Sequence, residues 1–229
     1  MQPHIFNNVM VMDLIKFGDF IKIEYTGYDE RGNVFDSTSG EVAKTLHGSE
    51  GPLVVIFGVD RLPKGLEETL RQMNKQDEID VMIPPEKAFG KPKKSLIKVL
   101  PTSYFKHQKL TPSVGLPIYI DTDNGRIFGV IKSVSNGRVV VDFNHPLAGK
   151  KVRYKIKLVD IINDGKEKIE ALLARYGLKG AVSIDSSNLL ITLSKKGETN
   201  EYETRKLQLL TLIKQLFTEI KNISINEVD

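Results

Sequence analysis

Residues 152–158 read Val-Arg-Tyr-Lys-Ile-Lys-Leu. Val152, Tyr154, Ile156 and Leu158 alternate with Arg153, Lys155 and Lys157. That is the period-two pattern of a strand with one buried and one wet face. The same pattern stands far upstream, where Ile21, Ile23 and Tyr25 alternate with Lys22 and Glu24 and stop at Gly27. The late strand resumes the early one. Both belong to one sheet, and much of what lies between them is inserted.

Reading outward from the early strand, Asp29-Glu30-Arg31-Gly32 is a turn and Val34-Phe35 begins a second strand. Residues 37–51, rich in Ser, Gly and charge, read as a loop. Pro52 to Phe57 is an apolar strand between two glycines. Leu62, Leu66, Leu70 and Met73 recur at helical spacing, with Pro63 suited to the first turn. Lys64–Glu68 and Glu67–Arg71 are favourable surface pairs on that helix. Ile79, Val81 and Ile83 form another strand, stopped by Pro84-Pro85.

The composition changes after Gly90. Asn124-Gly125 and Asn136-Gly137 each separate apolar runs: Ile118 to Ile120, Ile127 to Val134, and Val139 to Val141. Asn-Gly is a strong hairpin signal, because a type I′ turn needs positive φ at both central residues. Residues 91–142 are therefore a small β meander, with a short helix near Pro101. Beyond Asp164-Gly165 a further unit begins. Ile169, Leu172, Leu173 and Tyr176 mark a helix closed by Gly177. A hairpin turns at Asp185 to Asn188. A second helix carries Leu207, Leu210, Ile213, Phe217 and Ile220 on one stripe, and Ile223 and Ile225 suggest a last strand.

The bulk numbers narrow the chemistry. The 229 residues allow one to three domains and a core that needs no covalent staple. There is no cysteine, which excludes disulfides, thiol catalysis and thiolate-bound zinc. His4, His47, His107 and His145 are scattered, so no metal ligand set shows and no cofactor is expected. The 33 basic residues face 29 acidic ones, too even a balance to predict a nucleic-acid partner. The run Lys91-Pro92-Lys93-Lys94 reads as a solvated loop. No stretch approaches the roughly 18 apolar residues of a membrane span. Residues 1–16 make a poor signal peptide and read as an N-terminal extension, with Met10 and Met12 as alternative starts. A cytoplasmic protein is the expectation.

Tyr25-Thr26-Gly27, Val34-Phe35-Asp36-Ser37, the stretch from Gly58 to Leu66, and Ala88-Phe89-Gly90 resemble the FKBP-type prolyl isomerases in order and spacing. Asn144-His145-Pro146-Leu147-Ala148-Gly149 resembles the segment with which SlyD-like members resume the parent domain after an insert-in-flap domain. The tail resembles the extra domain of long archaeal members. The resemblance implies an α+β fold: a twisted antiparallel sheet wrapped on a short helix, an inserted small β domain, and a C-terminal α/β domain. It implies an isomerase domain over 17–90 and 143–163, a chaperone insert over 91–142, and a C-terminal domain over 165–229 that forms a homodimer.

It also implies a site. Tyr25, Phe35 and Tyr154 match aromatic wall positions, Leu53 and Leu62 side walls, and Leu66 the pocket floor. Asp36 matches the acid that faces the twisting carbonyl. Phe89 stands where a Tyr is usual, and His145 and Leu147 lie at the site's edge. Without the resemblance, the apolar members of this set read equally as core, and Asp36 as a turn residue. In the insert, Tyr104, Phe105, Leu110, Val114, Leu116, Ile118 and Phe128 are the residues expected to grip unfolded, proline-containing polypeptides, or else to hold the module together. Two departures bear on binding. Phe89 lacks a hydroxyl, and Pro63 lacks the N–H that its position usually offers to a substrate carbonyl. They keep a second reading open, a holdase with weak or no isomerase activity.

Overall fold

A computed structural model describes residues 15–122, 125–195 and 201–228. Three sheets stand in it, each with its own apolar core. The main sheet runs β2-β1-β9-β4, with β3 also paired to β1. Its strands are β1 (Phe20–Tyr28), β2 (Val34–Ser37), β3 (Leu53–Ile56), β4 (Glu78–Ile83) and β9 (Val152–Ile162). The late strand does return to the early one: Ile23 pairs with Leu158, Tyr25 with Ile156 and Gly27 with Tyr154, all antiparallel. Alternation along β9 buries Val152, Tyr154, Ile156 and Leu158 on one face.

That face is covered by α2 (Lys64–Leu70), which buries Gly65, Leu66 and Leu70. Gly65 is required by close approach, since a Cβ there would lie 2.5 Å from Ile83 Cγ2. Pro63 sits just before the helix, at the N-cap, rather than inside its first turn. Glu68 pairs with Lys87 rather than Lys64, and the Arg71 guanidinium lies over the Phe57 ring. Ile15, inside the expected extension, is also buried in this core.

The expected loop over 37–51 holds a helix, α1 (Gly40–His47). Ala43 is its buried anchor. Gly48, left-handed at φ 79°, closes it by donating to the Lys44 carbonyl. Ser and Gly at both ends hid a two-turn helix between them.

The second sheet runs β5-β8-β7-β6. It contains β5 (Ile97–Pro101), which carried no sequence signal, with β6 (Pro117–Thr122), β7 (Gly125–Ser135) and β8 (Arg138–Asp142). Helix α3 (Thr102–His107) follows β5 directly. Asn136 and Gly137 have φ of 48° and 74°, as a type I′ turn requires. Gly125 pairs with Thr122 and so belongs to the ladder. Asn124, like the chain before Ile15 and with it Met10 and Met12, lies outside the described residues.

The third sheet runs β10-β11-β12, with β10 (Gly180–Asp185), β11 (Asn188–Ser194) and β12 (Asn222–Val228). Helix α4 (Gly165–Arg175) precedes it, capped by Asp164, whose side chain accepts from the Glu167 N–H at 2.8 Å. Helix α5 (Tyr202–Leu216) crosses from β11 to the parallel β12. Its buried stripe is Tyr202, Leu209 and Ile213, while Leu207 is 66% exposed. The stripe read from sequence was rotated at its N-terminal end. This third core is continuous with the main sheet's far face: Phe20, Ile56 and Ile162 pack among Ile169, Leu172 and Phe217.

Candidate active site

Four strands and two helices converge on one concavity. Tyr25 comes from β1, Phe35 and Asp36 from β2, His47 from the end of α1, Leu53 from β3, Leu66 from α2, and Tyr154 from β9. Phe89 follows the 3₁₀ turn at Pro85–Lys87. Their rings pack edge to face, as aromatic quadrupoles prefer. Phe35 stands at 89° to Tyr154 with centroids 5.7 Å apart, and at 81° to Phe89 at 5.8 Å. Gly27 makes the packing possible, because a Cβ there would lie 2.7 Å from the Phe35 ring.

One charged group faces this apolar wall. Asp36 accepts from the Tyr25 hydroxyl at 2.9 Å through Oδ2, and from His47 Nε2 at 2.9 Å through Oδ1. Tyr25 Oη also lies 3.3 Å from His47 Nε2. Burial first, then the adjacent Asp36 charge, hold the Tyr25 and Tyr154 hydroxyls well above the ordinary phenol range. Both stay protonated, and Tyr25 remains a donor. Beneath them Thr38 clasps β1 to β2, its hydroxyl accepting from the Tyr25 N–H at 2.9 Å.

The cavity so formed has a volume of about 730 Å³. Tyr25, Asp36, Leu53, Leu62, Leu66, Phe89 and Tyr154 all line it. Phe35 supports them from behind through its contacts with Phe89 and Tyr154. His145 and Leu147 are not among its lining residues. His145 is exposed but stacks flat on Phe89, centroids 4.2 Å apart. Its Nδ1 accepts from the Leu147 N–H at 3.2 Å, so its proton sits on Nε2. Burial of the stacked face lowers its pKa below the ordinary histidine value. Leu147 is buried in the main core. His47 had no sequence signal, being one of four scattered histidines at the end of an unread helix. The backbone next to Pro63 is also committed, since the Leu62 N–H donates to the Asp60 carbonyl at 3.0 Å.

In the insert, Phe105 and Ile118 are buried and form its core with Ile131, Val139 and Val141. They hold the module together and cannot offer a gripping surface. Tyr104 and Leu116 are half-buried against that core. Leu110, Val114 and Phe128 are exposed, and so are Val99 and Tyr119, which carry no sequence signal of their own. Tyr119 and Phe128 face each other across β6 and β7, 5.4 Å apart. In the basic run, Lys91 pairs with Glu86 at 3.0 Å.

Comparison with known proteins places this geometry. The short-type peptidyl-prolyl cis-trans isomerase of Methanocaldococcus jannaschii is 33% identical over 156 residues, which span 66% of this chain and 96% of that one. The chain belongs to the FKBP-type peptidyl-prolyl cis-trans isomerases. The family profile of that description matches residues 13–112, and the profile described as "FKBP26, IF domain" matches 98–147. Neither extends past residue 147. A probable FKBP-type 16 kDa isomerase of Pseudomonas fluorescens is 33% identical over 132 residues, 58% of this chain and 81% of its own. The SlyD isomerase of Aeromonas hydrophila is 33% identical over 141 residues, 62% and 61% respectively. This FKBP-type chain is thus an isomerase by family, SlyD-like in character, with an insert-in-flap segment.

Proposed function

We propose that this FKBP-type chain catalyses cis-trans rotation about X-Pro bonds of unfolded polypeptides, and that its insert holds those polypeptides as a chaperone. Rotation about a peptide bond meets a barrier of about 18–20 kcal/mol, and an uncatalysed X-Pro bond takes tens to hundreds of seconds. No bond is broken, so neither nucleophile nor cofactor is required. As the amide twists it loses resonance and its carbonyl becomes less polar. An apolar pocket then suits the twisted form better than the planar one.

The observation that carries this reading is one cavity in which Tyr25, Leu53, Leu62, Leu66, Phe89 and Tyr154 gather around the Asp36 carboxylate. The prolyl ring rests on Leu66 between Tyr25, Leu62 and Tyr154. Asp36, fixed by Tyr25 and His47, faces the carbonyl that turns. The groups are preorganised, so little reorganisation accompanies rotation. Two-dimensional exchange NMR on a short Xaa-Pro peptide tests the reading. Exchange between cis and trans peaks is expected to quicken with added protein. Unchanged exchange at saturating protein leaves the second reading, a holdase. That reading is favoured by Phe89, which lacks a hydroxyl, and by Pro63, whose missing N–H the tied Leu62 N–H does not replace.

The chaperone half rests on the exposed apolar residues Val99, Val114, Tyr119 and Phe128. They lie on a module of about 50 residues, near the lower limit for burying a full core. Sheet edges at β5 and β6 offer strand addition to a client. We assign residues 17–90 and 143–163 to the isomerase domain, 91–142 to the insert and 165–229 to a C-terminal domain. The chain is further read as cytoplasmic, of the long archaeal type, and a homodimer through the C-terminal domain. Ile213 and Phe217 are spent on that domain's own core, so the contact falls to exposed Leu190, Leu207 and Val228. Light scattering coupled to size exclusion reads the oligomeric state.

A further inference from the structure

The cavity that holds the proline site does not end within the FKBP-type sheet. Its lining passes Arg61 and Val54 and reaches Ala171, Leu172, Ala174 and Arg175 of α4. At about 730 Å³ it falls in the range of a pocket for a drug-sized ligand, more than one prolyl ring fills.

Helix α4 is fixed in this place. Arg175 Nη1 donates to Asp60 Oδ2 at 3.0 Å, and Nη2 donates to Asp60 Oδ1. At the other end Lys22 pairs with Glu167 at 2.7 Å. Leu172 packs with Phe20 and Ile56 beneath. Asp60 Oδ2 also accepts the Ile56 N–H at 2.8 Å, so one carboxylate joins the loop, β3 and α4.

Among the described residues, strand β3 pairs only with β1. Phe57 N–H donates inward to the Asp19 carbonyl, whereas Ile56 N–H turns outward to Asp60. By the alternation of an antiparallel ladder, Val54 also turns its N–H and C=O outward. Val54 thus presents an open strand edge on the wall of the cavity, between the proline site and α4.

We propose that this extension binds the polypeptide flanking the target proline, as an extended segment paired with Val54 and roofed by α4. The occupant follows from continuity: a chain whose proline sits on Leu66 has its neighbours in the same cavity. An extended backbone also satisfies the open edge. Ala171 and Ala174 leave the width that a chain needs. The C-terminal unit is then part of the substrate site. This inference rests on the isomerase reading above for the occupant of the proline end.

Two fluorescent peptides test it by binding: a tetrapeptide containing one Xaa-Pro bond, and a 16-residue unfolded peptide with the same core. The full chain is compared with Ala174→Trp, which fills the extension, and Val54→Pro, which removes the outward N–H at an edge position that tolerates proline. Each variant is expected to weaken the long peptide by about tenfold, the scale of one lost hydrogen bond, and to leave tetrapeptide affinity unchanged. Equal affinity of the long peptide for wild type and both variants overturns the proposal, as does an equal loss for both peptides. Should the tryptophan variant fail to fold, Val54→Pro decides alone. Exchange of the tetrapeptide by wild type is read separately, so an inactive isomerase is distinguished from an empty extension.

Discussion

Asp36 takes two donors at once, and one of them is a histidine. His47 touches no substrate in this account; it positions the carboxylate that does. His47→Ala is expected to lower kcat/KM for a short Xaa-Pro peptide by about 10–100-fold, the loss of one hydrogen bond to a charged group. His47→Gln should restore part of it. An unchanged kcat/KM in the alanine variant contradicts the role. His145 gives a pH dependence. Its native pKa lies below the ordinary value of about 6.5. Below about 6.5 the unfolded chain takes a proton that the native site resists, so stability falls as pH drops from there to the native pKa. Above that window the group contributes nothing. The melting temperature of His145→Gln should fall less than that of wild type between about pH 7 and pH 5, by scanning calorimetry. Most of the pocket was legible at this scale, but only because Tyr25, Phe35-Asp36 and Ala88-Phe89-Gly90 stand in a familiar order. His47 was illegible, since its partner is distant in sequence and a lone histidine carries no spacing.

Among the elements, strands with one wet face were the most legible, because period two survives any context. β5 was not, for Ile97 and Val99 are exposed and carry no alternation of burial. Helix α1 was hidden for a different reason. Its eight residues bury only Ala43, too little to leave an apolar stripe. In α5 the apolar residues encircle the helix, so periodicity alone could not choose between Leu207 and Leu209; packing against β11 and β12 chose. Helix α2 lies close on β4 at Gly65. Gly65→Ala would normally gain helix propensity. Here the added methyl must displace Ile83, and overpacking of this kind costs about 1–3 kcal/mol. Urea unfolding is expected to show that loss, and a stabilised variant contradicts the packing described.

At the scale of the molecule, the insert's core is separate from that of the main sheet. Replacing residues 91–142 with a short turn should therefore leave turnover of a tetrapeptide near wild type. The same change should abolish protection of an unfolded client from aggregation, followed by light scattering. Retained protection would move client binding elsewhere. The insert's existence was legible from the resumed strand pattern at Val152. The seating of α4 on the main sheet was not, because Phe20, Ile56 and Ile162 read as ordinary strand residues whose covering partner lies in another unit.

The central claim is that one apolar pocket around Asp36 turns X-Pro bonds. A protease-coupled assay of cis-to-trans turnover on short Xaa-Pro peptides, comparing wild type with the double variant Asp36→Ala/Phe35→Ala, tests it most directly. Turnover above background is expected in wild type, with its collapse in a double variant that remains folded. No turnover by a well-folded wild type, or equal turnover in both, contradicts it.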